Sequence, residues 1–285
     1  MAHPHEVAQW QPQLFAFAYR LTGRTADSED VVQEVLANWF AREPAQVADP
    51  LKYLARAVRN RCLTLLQHRP PSARPTLPEP LIQPAPAVEA HIDVSYGLLV
   101  LLARLSPLER SVFLLKESFG FDYAELADTL AVQPAYCRQL YHRAQQHLRA
   151  RRQRFAPSGQ QQRQLFQAFC EAIETGDLQA LIQLLKRDVT VYSDGGTTRP
   201  AALQPITGQL ACARFLVGLH QKFGSTLTYE PTQLNNSLGL LLFQPPDATP
   251  DTMLLLDYQE TTIDAVYLMR DPEKMHWLRR SRNGS

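Results

Sequence analysis

Between Pro134 and Arg154 the chain carries side chains that can read the edges of paired bases. Tyr136, Arg138, Gln139, His142, Arg143 and Gln146 interleave with Cys137, Leu140, Ala144 and Leu148, which form a narrow apolar stripe at helical spacing. A helix with that pattern turns the polar set outward. Arginine and glutamine present the forked hydrogen-bonding groups that match guanine and adenine in the major groove of a duplex. Arg149, Arg151 and Arg152, one turn further on, suit phosphate contacts that hold register without reading sequence.

Two earlier helical patterns carry complementary charge. Asp30, Gln33, Glu34 and Ala37 fall three or four residues apart and share one polar stripe, opposite Val31, Val32, Val35, Leu36, Trp39 and Phe40. From about Leu51 to Gln67 a basic helix follows, with Leu54, Val58 and Cys62 inward and Lys52, Arg56, Arg59 and Asn60 outward. The formal net charge of +1 conceals this sorting: Lys52 to Arg74 holds six Lys or Arg and no acid, and Thr129 to Cys170 is again free of acids. Such blocks let a near-neutral chain present local positive fields to nucleic acid.

The elements that position these groups fall into three expected units. Residues 6–69 read as a helical bundle: Leu14, Phe15, Ala18, Tyr19 and Leu21 precede Gly23, and Thr25 caps the next helix with Asp27 and Glu29 in its first turn. Residues 70–91 form a proline-rich linker, with seven prolines between Pro70 and Pro86. Residues 92–155 hold the clearest punctuation. Ser106-Pro107-Leu108-Glu109 is a capping box, Gly120 stops that helix, Asp122-Tyr123-Ala124-Glu125 starts a short one, and Ala131-Val132-Gln133 turns into the long basic helix. Short helix, tight turn and long basic helix is helix-turn-helix grammar.

Residues 161–280 change character. Helical patterns at Leu165–Ile173 and Leu178–Leu185 precede strand patterns near Val189–Tyr192, Leu227–Tyr229, Leu238–Phe243, Met253–Tyr258 and Ile263–Met269, with a helix over Ala211–Phe223. A helix-wrapped, mostly antiparallel sheet is expected. The N-terminus lacks a signal-peptide pattern and no apolar run approaches a membrane span, so a cytoplasmic chain without a membrane contact is expected. Cys62, Cys137, Cys170 and Cys212 are too scattered for a zinc or disulfide framework and are expected as buried thiols. No motif for a metal or cofactor appears, and none is expected.

The stretch from Leu105 to Ala150 resembles region four of an extracytoplasmic-function RNA polymerase sigma factor, which reads the promoter's minus-thirty-five element. The stretch from Leu14 to Phe40 is similar to region two, whose acidic helix docks on the polymerase clamp; Asp30, Gln33 and Glu34 match that docking motif. The resemblance makes RNA polymerase core and promoter DNA the expected partners. It also makes the third helix the reader of a base from the opened minus-ten strand, with Tyr53, Arg56, Arg59, Asn60 and Arg61 as candidates. Thr64 replaces an acid common in the family, and Pro70-Pro71 cuts short the usual basic tail.

Leu77-Pro78-Glu79-Pro80 and Asp194-Gly195-Gly196 resemble hallmarks of the sigma factors that carry a C-terminal SnoaL-like domain, and Tyr267 through Lys274, with Arg270, is similar to that subgroup's closing strand and turn. Thr197 and Thr198 replace a third glycine and a lysine. The fold implied is two helical domains followed by an α+β, cone-like domain, and the function implied is transcription initiation regulated by that domain, with room for an unknown small ligand. Two alternatives remain at this level. One is cyclase or isomerase chemistry in the SnoaL-like unit, using Tyr192, Asp194, His220, Tyr229 and Asp257. The other is a polymerase-independent helix-turn-helix regulator.

Overall fold

A computed structural model describes residues 4–42, 47–68, 76–81, 95–152, 159–235, 237–247, 249–259 and 261–282. The linker positions 70–75 and 82–91 lie outside the described residues. The described residues fall into two compact units, one of helices from residues 4–68 and 98–152, the other of residues 76–81, 95–97 and 159–282.

In the first unit α1 (Pro4–Thr22), α2 (Thr25–Arg42) and α3 (Pro50–His68) are followed by α4 (Tyr96–Ala103, from Leu98 onward), α5 (Pro107–Phe119), α6 (Tyr123–Leu130) and α7 (Pro134–Arg152). Gly23 takes a φ of 71° and its N–H donates to the Tyr19 carbonyl, the left-handed stop foreseen for α1. Helix α4 was not foreseen, because the run Leu98–Ala103 has no amphipathic period.

Separate cores were expected for residues 6–69 and 92–155, yet one cluster runs through both. Leu14, Phe17, Val31, Val35, Leu54, Val58 and Cys62 are continuous with Leu102, Val112, Leu115, Phe121, Leu126, Cys137 and Leu140. Phe17 meets Phe119 edge to face at 5.0 Å, and Arg110 donates to the Leu21 carbonyl at 2.6 Å. The physical reason is size: bundles of about 60 residues bury only about 60% of their unfolded surface, so two such bundles gain by pooling apolar faces. Burial raises the Cys62 thiol to about 12, helped by nearby Asp27, so this cysteine is packing rather than chemistry.

The second unit opens with α8 (Gly159–Thr175) and α9 (Leu178–Leu184), the latter capped by Asp177, whose carboxylate accepts from Gln179 and Ala180 N–H. A six-stranded sheet follows, comprising β1 (Leu185–Asp194), β2 (Ile206–Thr207), β3 (Thr228–Leu234), β4 (Ser237–Phe243), β5 (Pro250–Gln259) and β6 (Thr262–Met269). Its order is β2-β1-β6-β5-β4-β3, antiparallel except for the β1–β6 pair. α10 (Gln209–Phe223) and a closing α11 (Pro272–Arg282) complete the unit.

Strand alternation gives the sheet two buried faces. Leu240, Leu254, Leu256, Val266 and Leu268 pack with Phe166, Phe169, Leu181 and Leu216 of the helices. The intervening Met253, Leu255, Tyr267 and Met269 point the other way and are also buried, as are Met275 and Leu278 of α11. Both faces therefore need cover.

Candidate nucleic-acid interface

The helix-turn-helix is built as its punctuation implies. Ser106 and Asp122 each accept from the N–H three residues on, and Glu109 and Glu125 reach back to the capping residues, closing both boxes. Gly120, at φ 67°, and Ala131, at φ 53°, supply the left-handed stops of α5 and α6. Cys137, Leu140, Ala144 and Leu148 seat α7 in the core. The opposite face leaves Tyr136, Arg138, Gln139, His142, Arg143 and Gln146 exposed together, as expected. Arg138 lies over the Tyr123 ring at 5.5 Å, which holds one base-reading candidate in place. The side chains of Arg149, Arg151 and Arg152 lie outside the described residues.

The polar stripe of α2 is also realised: Asp30, Gln33 and Glu34 are exposed, opposite buried Val31, Val32 and Val35. Glu34 accepts from Arg61 Nε at 2.7 Å, so an expected docking residue and an expected strand-reading residue form one exposed pair.

The candidates on α3 divide. Tyr53, Asn60 and Arg61 line a cavity of about 340 Å³ between α2 and α3, together with Glu34, Asn38, Trp39 and Thr64. A cavity of about 150 Å³ accepts a benzene ring, so this one has room for a nucleobase. Trp39 and Tyr53 stand 5.4 Å apart at its wall, offering an aromatic surface for stacking. Arg56 and Arg59 turn elsewhere, which corrects the expectation that they face outward. Arg59 is 9% exposed, bonded to Asn60 Oδ1 and near the Thr129 carbonyl at the end of α6, and burial lowers its pKa. Arg56 lies over the Phe121 ring, and Lys52 is paired with Glu125. Phe121, between α5 and α6, supplies an apolar ring that draws the aliphatic stems of these side chains across.

Sequence reasoning missed Asn38, Trp39 and Thr64 as lining groups. Asn38 was findable, since it follows Glu34 by one helical turn. Trp39 was read as core because it sits at core spacing, and at 8% exposure it serves both roles.

In the second unit the Leu77–Leu81 segment is held at both ends. The Leu77 N–H donates to Asp194 Oδ2 at 2.8 Å, and the Leu77 carbonyl accepts from Lys274 Nζ at 2.6 Å. Lys274 and Asp194 are themselves paired at 2.6 Å, both buried. At the other end Leu81 and Asn235 exchange two bonds of 2.8 Å. The Pro78 carbonyl accepts from Tyr96 Oη, and Tyr96 meets Tyr267 edge to face at 5.0 Å. Glu79 and Pro80 are buried with them.

The D-G-G turn divides its labour. Gly196 adopts φ +60° beside the Asp271 carboxylate and donates to Asp194 Oδ1. Gly195 has no left-handed φ; it is needed because a methyl group there would collide with the Arg199 carbonyl. The Arg270 side chain binds Asp251, Thr252 and the Pro200 carbonyl rather than the linker, while its main-chain N–H donates to the Asp194 carbonyl. Lys274, Asn235 and Tyr96 were missed, although Lys274 closes the stretch already singled out.

The acid–base candidates are dispersed. His220 and Tyr229 line one cavity, Tyr192 stacks on Tyr267 at 5.4 Å, Asp194 belongs to the Leu77 clamp, and Asp257 lies against Gly97. Among the described residues no helix is long and apolar enough to cross a membrane.

Comparison with known proteins agrees with this architecture. The Sigma-70 region 2 family matches residues 7–69, and the Sigma-70, region 4 family matches residues 97–148. The chain is 33% identical over 238 residues to the ECF RNA polymerase sigma factor SigJ of Mycobacterium tuberculosis, covering 78% of this chain and 75% of the relative. It is 30% identical over 198 residues to the probable ECF RNA polymerase sigma factor SigI of the same species, covering 64% and 68%. The crystal structure of M. tuberculosis SigJ superposes with a TM-score of 0.76 at 26% identity, over 95% of this chain and 98% of that one. The chain therefore belongs to the extracytoplasmic-function sigma factors, in the subgroup with a C-terminal SnoaL-like domain, a family of promoter-directing transcription factors rather than enzymes.

Proposed function

We propose a division of labour within this sigma factor. The exposed face of α7, from Tyr136 to Gln146, reads the duplex promoter element, and the acidic face of α2, with Asp30, Gln33 and Glu34, docks on polymerase core. Tyr53, Asn60 and Arg61, with Asn38 and Trp39, receive a base from the opened strand. Arg56 and Arg59 are not part of that set.

The C-terminal unit regulates initiation by holding the Leu77–Leu81 segment. The observation that carries this reading is the clamp itself: the Leu77 peptide group lies between Asp194 and Lys274, with every partner buried. A segment serving only as a spacer would have solvated backbone, whereas the Leu77 and Leu81 main-chain groups and the Pro78 carbonyl are hydrogen-bonded within a folded domain.

The test is transcription in vitro with core polymerase, comparing the full chain with its Lys274→Met variant. A change in initiation in either direction, with the helical unit still folded by circular dichroism, supports regulation through the clamp. Equal activity of the two proteins rejects it.

A further inference from the structure

Lys116 on α5, Tyr123 at the start of α6, and Arg138 and Tyr141 on α7 bring two cations and two aromatic rings together on the helix-turn-helix. Lys116 Nζ lies 4.5 Å from the centroid of the Tyr123 ring and 5.7 Å from that of Tyr141, and it donates to the Phe121 carbonyl at 3.4 Å. Arg138 Cζ lies 5.5 Å from the Tyr123 centroid. One ring therefore serves two cations from two other helices.

The ring itself is fixed. Tyr123 meets Tyr141 edge to face, with centroids 6.3 Å apart. Tyr141 in turn stacks on Phe113, donates its hydroxyl proton to Glu117 and accepts from Gln145 Nε2 at 2.9 Å. Tyr123 and Tyr141 both rest on the apolar core of the unit, whereas Arg138 is exposed. The platform is built into the fold, and the side chain lying on it faces solvent.

The kind of partner matters. An arginine held by a carboxylate commits its N–H donors to that partner. A ring instead takes the face of the guanidinium and leaves the donors, which lie in its plane, free for another acceptor. Among the described residues the Arg138 guanidinium makes no ion pair and donates no hydrogen bond; its one contact of this kind is the Tyr123 ring. Lys116, a like charge over the same ring, opposes collapse of the guanidinium toward α5. Ordering a free arginine on a base costs side-chain entropy, and a guanidinium already resting on a ring has lost part of that freedom before DNA arrives.

We propose that Tyr123 is a positioning residue that sets sequence preference: it holds Arg138 ready to donate both arms of its fork to a guanine edge in the promoter duplex. The inference rests on the reading of the α7 face given above. It adds a residue outside the recognition helix to those that decide which sequence is read.

The test is selection of duplexes from a randomised pool by the full chain bound to core polymerase. The native protein is compared with Arg138→Ala, Tyr123→Leu, Tyr123→Phe and the variant carrying both Arg138→Ala and Tyr123→Leu. Arg138→Ala lowers guanine preference at one position by at least about fivefold. Tyr123→Leu lowers it at that same position by about two- to fivefold, the worth of an exposed cation–π contact, while other positions and the salt slope stay unchanged. Tyr123→Phe keeps the ring and keeps the preference. In the double variant the leucine adds nothing to the loss from Arg138→Ala. Tyr123→Met replaces the leucine variant if that one does not fold. A loss spread over all positions, or one at a position that Arg138→Ala leaves alone, marks Tyr123 as structural only and overturns the proposal. Unaltered preference in Tyr123→Leu beside a sensitive Arg138→Ala rejects the positioning role and leaves the α7 reading standing. Preference retained by Arg138→Ala itself rejects Arg138 as a reader, and the proposal with it.

Discussion

Replacing Lys274 by methionine tests the clamp most directly. Lys274 Nζ donates to the Leu77 carbonyl and to Asp194, and it lies 3.8 Å from Asp271, with about nine-tenths of each side chain withdrawn from water. Methionine keeps the volume and removes the charge. It leaves two buried carboxylates without their cation and one buried carbonyl without its donor. Breaking a buried pair from one side costs about 3–5 kcal/mol, far more than the 0–1 kcal/mol of an exposed pair. Because Leu77 hangs on the same pair, its amide should lose protection from hydrogen exchange in step with the C-terminal unit. The companion is Asp194→Leu with Lys274→Met. Removing both charges deletes the nearer of the two uncompensated carboxylates, so the double variant should be more stable than the two single losses added together. Denaturation curves of the four proteins, with exchange at Leu77, provide the cycle. A loss below about 1 kcal/mol for Lys274→Met, or strict additivity, would refute the reasoning that the buried pair sustains the linker contact.

Four further outcomes follow from the geometry. Tyr53→Ala should weaken binding of the opened strand by about 1–3 kcal/mol through lost stacking, whereas Arg59→Met, changing a group turned toward α6, should leave it nearly unchanged; fluorescence titration with single-stranded promoter DNA reads both. Duplex binding by the α7 face should show a log–log salt slope near −5 if about six phosphates are neutralised, and a slope near zero would discard that interface. Glu125 is held below the ordinary carboxylate range first by the Lys52 hydrogen bond and then by the Asp122 N–H. Its contribution to stability is therefore complete above the unfolded carboxylate pKa and lost as pH falls through the lowered folded value, so Lys52→Met should flatten the acid limb of a stability–pH profile. Gly196→Ala should destabilise the second unit by about 1–3 kcal/mol, since alanine at φ +60° is strained and its methyl carbon would stand 2.6 Å from Asp271, as thermal denaturation would show.

What was legible in the sequence was local. The two capping boxes, Gly23 and the α7 stripe are decided by residues within one or two helical turns, and the helices form there. The strands were recognised by β-rich runs, but β2 has only two residues and α11 carries many polar residues, so neither gave a periodic signal. The division of α3 was not legible. Arg56 and Arg59 are polar and sit beside Asn60, and nothing nearby announces that Phe121, some sixty residues later, lies across them. The same limit hid the partners of Leu77. Asp194 and Lys274 are separated from it by 117 and 197 positions, and only the fold brings them together.

Strand β6 joins the Leu77 clamp to the cavity that His220 and Tyr229 line. Its residues alternate, so Leu268 faces the cavity while Tyr267 and Met269 lie on the opposite face, where Tyr267 meets Tyr96. Just beyond the strand Arg270 does both at once. Its guanidinium holds Asp251 at the polar end of the cavity, and its N–H fixes the Asp194 carbonyl, whose side chain holds Leu77. Lys274→Met should therefore also lower hydrogen-exchange protection at the Arg270 N–H, and unchanged protection there would mean that the clamp and the Asp251–Arg270 pair are independent.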